Sequence, residues 1–476
     1  MADLPDTAPV PIVGAVSAGS PLSGAVSVGG TPVGAVTVQP SSTGPRDPVR
    51  GPAAGRRRAR VRRDPRARVL RRARRRLLLA ALLLVAVLGG SAAYNLRSSA
   101  AQRADVVALT LPPIQVPGTP PVVPWPSVGE AAIAVPAVGL ADQSGIEQAV
   151  PVASLTKLMT AWVVLRDHPL RRGQDGPTVT MSALDVAEVR EDDRTDQANI
   201  PVAEGEQLTE RQLLEGLVVH SADNLADALA RWDAGSITAF VAKMNSAAAA
   251  LGMHQTHYVD ADGFDSGSRS TAADVLMVAS RLMSDPAFAT IAAMRSVTLP
   301  VGGTEDSYTP LLGTQGVIGV KSGFTSQAGG CDVLALSERV GTRSVLVLAA
   351  VTGQAGSSPL AQAGAAALAD ARAASGTVHE VSAVTAGEDL ARASLLGRSV
   401  AAVATRSVSV LGTAGARVRV VLHFDQAPAE GAARGTEVAV ATVGTGRDDR
   451  TPSSTPVRLS GALPARSLVD RLLGVG

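Results

Sequence analysis

The chain is poor in four things. Aromatic residues make up 2% of its 476 positions, there is one cysteine, there are six histidines, and three of its 44 basic residues are lysine. A single cysteine, Cys331, excludes an internal disulfide, and its place in the apolar run Cys331–Leu336 makes it a small core residue. The histidines show no metal-ligating spacing: His254 and His257 are three apart, but no second ligand pair accompanies them. The lysines are Lys157, Lys243 and Lys321, against 41 arginines. In a chain so biased, a lysine belongs where a fixed charge and a fork geometry will not serve, which singles out Lys157 and Lys321. The net charge of +2 hides an asymmetry. Residues 1–76 hold 15 Arg and 4 Asp, a net +11, so the rest of the chain carries −9. A basic arm ahead of an acidic body points to a membrane-flanking segment and away from a nucleic-acid enzyme.

What is present allows two or three domains and a sizeable core, since 46% of residues are apolar. Residues 1–55 are rich in Gly, Pro, Ser, Val and Ala, with a loose Gly-Ala-Val repeat at Gly14, Gly24 and Gly34, and read as disordered. Residues 1–76 form a cytoplasmic arm that ends in 13 arginines between positions 56 and 76. Leu77–Leu96 then runs 20 residues without a charge, enough to span a bilayer. The arginines on its N-terminal side place everything after Leu96 outside the cell membrane, with one pass. A cleaved signal at Ser91-Ala92-Ala93 is the rival reading, but the preceding stretch is far longer than a signal n-region. Residues 97–126 read as a Pro-rich extended linker. Residues 127–375 read as one mixed α/β domain, with helices at 207–230, 271–283 and 359–374 and strands near 131–138, 317–320, 333–337 and 344–351. Residues 376–445 read as a small all-β domain, and 446–476 as a tail with a short amphipathic helix near 467–473.

Three segments carry chemistry. In Val152-Ala153-Ser154-Leu155-Thr156-Lys157 a loop enters an apolar helix, so Ser154 and Lys157 share a face. A serine hydroxyl needs an adjacent base to act as a nucleophile, a buried lysine amine can be that base, and the helix N-terminus suits an oxyanion. In His220-Ser221-Ala222-Asp223-Asn224, Ser221 could pass a proton from Lys157 to a leaving amine, and Asp223 or Asn224 could hold a substrate amide; an N-terminal capping box explains the same residues. In Gly319-Val320-Lys321-Ser322-Gly323-Phe324-Thr325, a lysine and a hydroxyl on a strand edge can grip a carboxylate, while Gly323 allows close backbone approach. Each segment alone is a weak signal.

In this order, S-x-x-K, S-x-[DN] and K-S-G, they resemble the penicillin-binding and serine β-lactamase superfamily. The flanks Gly205–Thr209, Leu213–Leu217, Leu251–Met253, Thr256–Tyr258, Asp262–Phe264, Ser270–Asp274 and Leu311–Gly313 resemble the low-molecular-mass D-alanyl-D-alanine carboxypeptidases. The resemblance covers about residues 127–375. It implies a penicillin-binding, serine β-lactamase-like transpeptidase fold, a sheet flanked by helices, with the C-terminal β domain in the usual place. It implies a serine-type carboxypeptidase acting on peptidoglycan stem peptides, with β-lactams as covalent inhibitors and neither metal nor organic cofactor. By resemblance Ser154 is the nucleophile, Lys157 its base and Ser221 the proton relay. Asp223, Asn224, Lys321, Ser322, Gly323, Phe324 and Thr325 bind substrate, and the N–H groups of Ser154 and Phe324 form the oxyanion hole. One departure matters: Asp223 stands where the family usually has Asn, and a carboxylate near Lys157 favours the ammonium and weakens the base. A β-lactamase and a catalytically impaired wall-binding protein are the alternatives.

Overall fold

The computed structural model describes residues 65–98, 101–145, 148–445 and 453–474, so the Gly-Ala-Val repeat and most of the arginine-rich arm lie outside the described residues. The chain divides into two units, Met1–Ala80 and Ala81–Gly476. In the first, the described residues are the opening turns of a helix that runs Pro65–Ser98. Within that helix, Val69–Arg97 is long and apolar enough to cross a membrane, an 18-residue stretch of it having a mean hydropathy of 2.3.

The second unit holds two sheets that matter for function. The first has five antiparallel strands in the order Val317–Thr325, Gly329–Val340, Arg343–Gln354, Glu130–Val135, Leu140–Gln143. Side chains alternate across a strand, and here both faces are buried. Ala131, Ile133, Val135, Leu334, Leu336, Val347 and Val351 pack under the helix Pro359–Ser375, whose Ala363, Ala367, Ala371 and Ala374 allow close approach. Ala132, Val333, Ala335, Leu348 and Ala350 face the opposite way, into the largest core. That core is closed by helices Thr156–Asp167, Glu210–Val219, Asp223–Ala234, Ile237–Leu251 and Ala272–Met283. The strand at one edge, Val317–Thr325, carries the K-S-G segment. Cys331 is fully buried, and burial pushes its thiol up to about 12, which makes it inert.

Three expectations need correction. The single helix expected over 207–230 is two, Glu210–Val219 and Asp223–Ala234, after a short strand Gln207–Thr209. Thr209 and Gln212 form a reciprocal capping box for the first helix, and the break at His220–Ala222 frees the S-x-D segment from helical geometry. The second correction concerns residues 97–126, which are no free linker. Asp105–Ala108 pairs with Asp389–Leu395, and Ile114–Gln115 pairs with Arg417–Val418. They form the two edges of a seven-stranded sheet whose interior strands are Asp389–Leu395, Arg398–Ala404, Ser453–Leu459, Glu437–Gly444 and Arg417–Phe424. Ser453–Leu459, expected in the tail, lies inside this sheet. Six peptide steps join Ala108 to Ile114 and cover at most about 21 Å, whereas six flat strand spacings would need about 29 Å, so the sheet curls toward closure. Ala104 and Val116 are buried in its core. The β domain is therefore assembled from both sides of the catalytic segment.

Candidate active site

The S-x-x-K segment enters its helix through a 3-10 turn, Ala153–Leu155, with Ala153 in the left-handed region at φ 50°. Such a conformation costs a non-glycine residue free energy and recurs at functional sites. Lys157 lies one turn on and is wholly buried. Its Nζ donates to Ser154 Oγ at 3.1 Å and to the carbonyl of Asp262 at 2.8 Å, and forms a close ion pair with Asp223 Oδ1. Three donors on an ammonium thus meet three acceptors.

The S-x-D segment enters through the helix break. Ser221 also adopts a left-handed φ, 64°, and caps nothing; the residue flanking the following helix is Ala222, without a side-chain cap. Asp223, the first helical residue, reaches Lys157. Burial pushes the Asp223 carboxyl up, even against the pull of Lys157 and Lys321. Asn224 does not share the cleft. Its Nδ2 donates to the carbonyl of Ile200 at 2.9 Å and its Oδ1 accepts from the Ile200 amide at 3.1 Å. Of the two candidates for holding a substrate amide, Asn224 is spent on a loop, and Asp223 occupies the cleft. Asn224→Ala should leave two buried backbone groups unpaired and cost about 1–3 kcal/mol of stability, read as a lower melting temperature, while penicillin acylation of the folded fraction stays near wild type.

The K-S-G strand closes the site from the side. A Cβ at Gly323 would stand 2.7 Å from the amide nitrogen of Ser154 and 3.2 Å from its Cα, so strand and turn are in backbone contact there. Lys321 is buried, and burial together with the positive charge of Lys157 brings it down to about 7. Its Nζ donates to the carbonyl of Ser322 at 2.7 Å, and Ser322 Oγ donates to the carbonyl of Tyr308 at 2.9 Å. Tyr308 in turn donates its amide to the carbonyl of Val219, at 3.3 Å, and stacks on His220. Phe324 is half exposed at the rim, and Thr325 Oγ1 accepts from the Ala328 amide at 3.1 Å.

A fourth segment entered the sequence reading only through the family resemblance, with no place in the site. Asp262 supplies a carbonyl to Lys157, and a Cβ at Gly263 would meet the carbonyl oxygen of Ala153 at 2.0 Å. Only glycine, here at φ +88°, lets this loop back the turn that carries Ser154. Asp260 shapes the loop by accepting from the amides of Gly263 and Asp265. The signal that could have found it was the Asp262-Gly263-Phe264 triplet, an acceptor followed by a turn glycine.

A family model described as D-alanyl-D-alanine carboxypeptidase matches residues 140–352. The D-alanyl-D-alanine carboxypeptidase of Streptomyces sp. (strain K15) is 32% identical over 216 residues, which cover 42% of this chain and 72% of that protein. The chain belongs to the D-alanyl-D-alanine carboxypeptidase family. A second member, D-alanyl-D-alanine carboxypeptidase DacB2 of Mycobacterium tuberculosis, is 32% identical over 189 residues, covering 37% of this chain and 59% of DacB2. Among solved structures, the peptidoglycan synthesis regulatory factor (PBP3) of Streptococcus pneumoniae superposes with a TM-score of 0.52 at 23% identity, over 71% of this chain and 99% of that one. Penicillin binding protein 6B of Escherichia coli gives 0.51 at 22% identity, over 71% and 98%. The fold of this carboxypeptidase-family chain is therefore the mixed α/β penicillin-binding fold.

Proposed function

We propose that the chain is a serine-type D-Ala-D-Ala carboxypeptidase that removes the terminal D-Ala from peptidoglycan stem peptides. The observation that carries this reading is the Lys157 amine within hydrogen-bond reach of Ser154 Oγ, with the Gly323 backbone flush against the same serine. Ser154 Oγ attacks the carbonyl of the penultimate D-Ala while Lys157 takes its proton. The N–H groups of Ser154 and Phe324 stabilise the oxyanion. Ser221 relays the proton to the departing D-Ala, and water releases the acyl group. The terminal carboxylate of the substrate is held by Lys321 and Ser322; a lysine poised near neutrality gains its proton readily when an anion arrives. The edge strand Val317–Thr325 offers backbone groups to an extended peptide. The apolar helix preceding the domain and the arginines before it support a single-pass anchor that holds the enzyme on the outer face of the cell membrane.

The test is release of D-Ala from a D-Ala-D-Ala peptide by the purified full chain, with covalent labelling by a fluorescent penicillin. A chain that does neither is not this enzyme. The second reading, a catalytically impaired wall-binding protein, draws on the ion pair of Lys157 with Asp223, and labelling without D-Ala release would select it. Rapid turnover of penicillin would select a β-lactamase.

A further inference from the structure

The ion pair between Lys157 and Asp223 raises a problem the mechanism must solve. An ammonium with all three protons engaged has no lone pair for Ser154, and the pair is buried: Lys157 has no exposed surface and the Asp223 side chain is 8% exposed. One proton has to leave Nζ before Ser154 can give up its own. Of the three groups that Nζ touches, the Ser154 hydroxyl is the reactant, the Asp262 carbonyl cannot take a proton, and Asp223 is a carboxylate.

We propose that Asp223 is the internal proton acceptor of this active site, converting Lys157 into a base by taking its third proton without exchange with solvent. This rests on the assignment of Ser154 as nucleophile and Lys157 as base. The step balances. The N–H bond of the ammonium breaks and an O–H bond forms on Asp223 Oδ1, so a charged pair becomes a neutral amine beside a neutral carboxyl. The amine then takes the Ser154 proton as the Oγ–C bond forms. When the leaving amine has been protonated, the carboxyl returns its proton to Nζ. In a dry site a neutral pair competes with an ion pair, because desolvation penalises both charges.

The surroundings support a protonated Asp223. Its neighbours are Lys157 on the nucleophile helix, Lys321 on the edge strand, Asp260 and Asp262 on the backing loop, Asp192 on the helix Ala183–Arg194, and Asp227 one turn along its own helix. The carboxylates outnumber the cations. Burial raises Asp262 well above the carboxylate range and brings Asp192 and Asp227 each to about 7. Burial raises Asp223 itself in the same direction. Asparagine at this position could orient Lys157 but could not store its proton.

The sign of the pH effect follows. While the pair exchanges one proton internally, its proton count is constant, and acylation does not require loss of a proton to solvent. With asparagine there, the amine becomes neutral only by releasing its proton to bulk, so acylation slows as the pH falls. The experiment is the acylation rate of the full chain by saturating fluorescent penicillin, measured from about pH 6 to about pH 8. Titration of Lys321, Asp192 and Asp227 is common to both proteins, so the test is their ratio: the rate of wild type over Asp223→Asn should grow at least about tenfold from about pH 8 to about pH 6. Asp223→Glu should restore the wild-type pH dependence and Asp223→Ser should behave as the asparagine variant, which keeps the test open if one variant misfolds. An Asp223→Asn profile superimposed on wild type, or a faster rate at neutral pH, overturns the proposal. Failure of wild type to acylate at all overturns instead the functional reading beneath it.

Discussion

Ser154→Ala should abolish both D-Ala release and covalent penicillin labelling, with a fall in kcat of roughly 10⁵–10⁶, the scale seen when a nucleophile is removed from a machinery that acts as a unit. The variant should fold normally. The hydroxyl accepts from Lys157, whose Nζ keeps its bonds to Asp223 and the Asp262 carbonyl when the serine oxygen is gone. An unchanged melting temperature with no labelled band is the expected pair of results. Residual labelling at a substantial fraction of wild type would place the nucleophile elsewhere.

Gly323→Ala should slow acylation sharply by adding a single methyl group beside Ser154. The added Cβ would come within 2.7 Å of the Ser154 amide nitrogen and 3.2 Å of its Cα. Neither atom can recede as a flexible side chain would, because the nucleophile turn is pinned from behind by Gly263 against the Ala153 carbonyl. Strand and turn must separate, and with them the two amides proposed to hold the oxyanion. Misplacement of about 1 Å costs on the order of 10²-fold in rate, while overpacking of this kind costs about 1–3 kcal/mol of stability. Acylation should therefore fall about a hundredfold in a protein that still melts cooperatively, and a rate within a few-fold of wild type would show that the strand does not bear on the serine.

The chemistry was more legible in the sequence than the architecture. Ser154 and Lys157 are three apart on a helix, so their meeting is a local matter, and the apolar runs around Val333 and Val345 announced the central strands. What escaped was what depends on distant partners. Asn224 and Asp223 are adjacent, polar and equally plausible in the cleft; only Ile200, 24 positions away, decides which one turns inward. Residues 105–115 are interrupted by Pro112 and Pro113 and read as a Pro-rich spacer, because their pairing with positions near 394 and 417 leaves no local imprint. Ser453–Leu459 contains Pro456 and follows charged residues, yet pairing on both sides makes it an interior strand.

That threading sets a schedule for the chain as it is made. The segment at 105–115 is synthesised well before its partners at 389–395 and 417–418, and the entire catalytic domain is laid down in between. Until the last strands arrive, the early ones hold unsatisfied hydrogen-bonding edges. Completion of the β domain therefore waits on the C-terminal third of the polypeptide, and a translation product that stops soon after Ser375 would carry a finished peptidase fold alongside two orphaned strands open to aggregation or proteolysis.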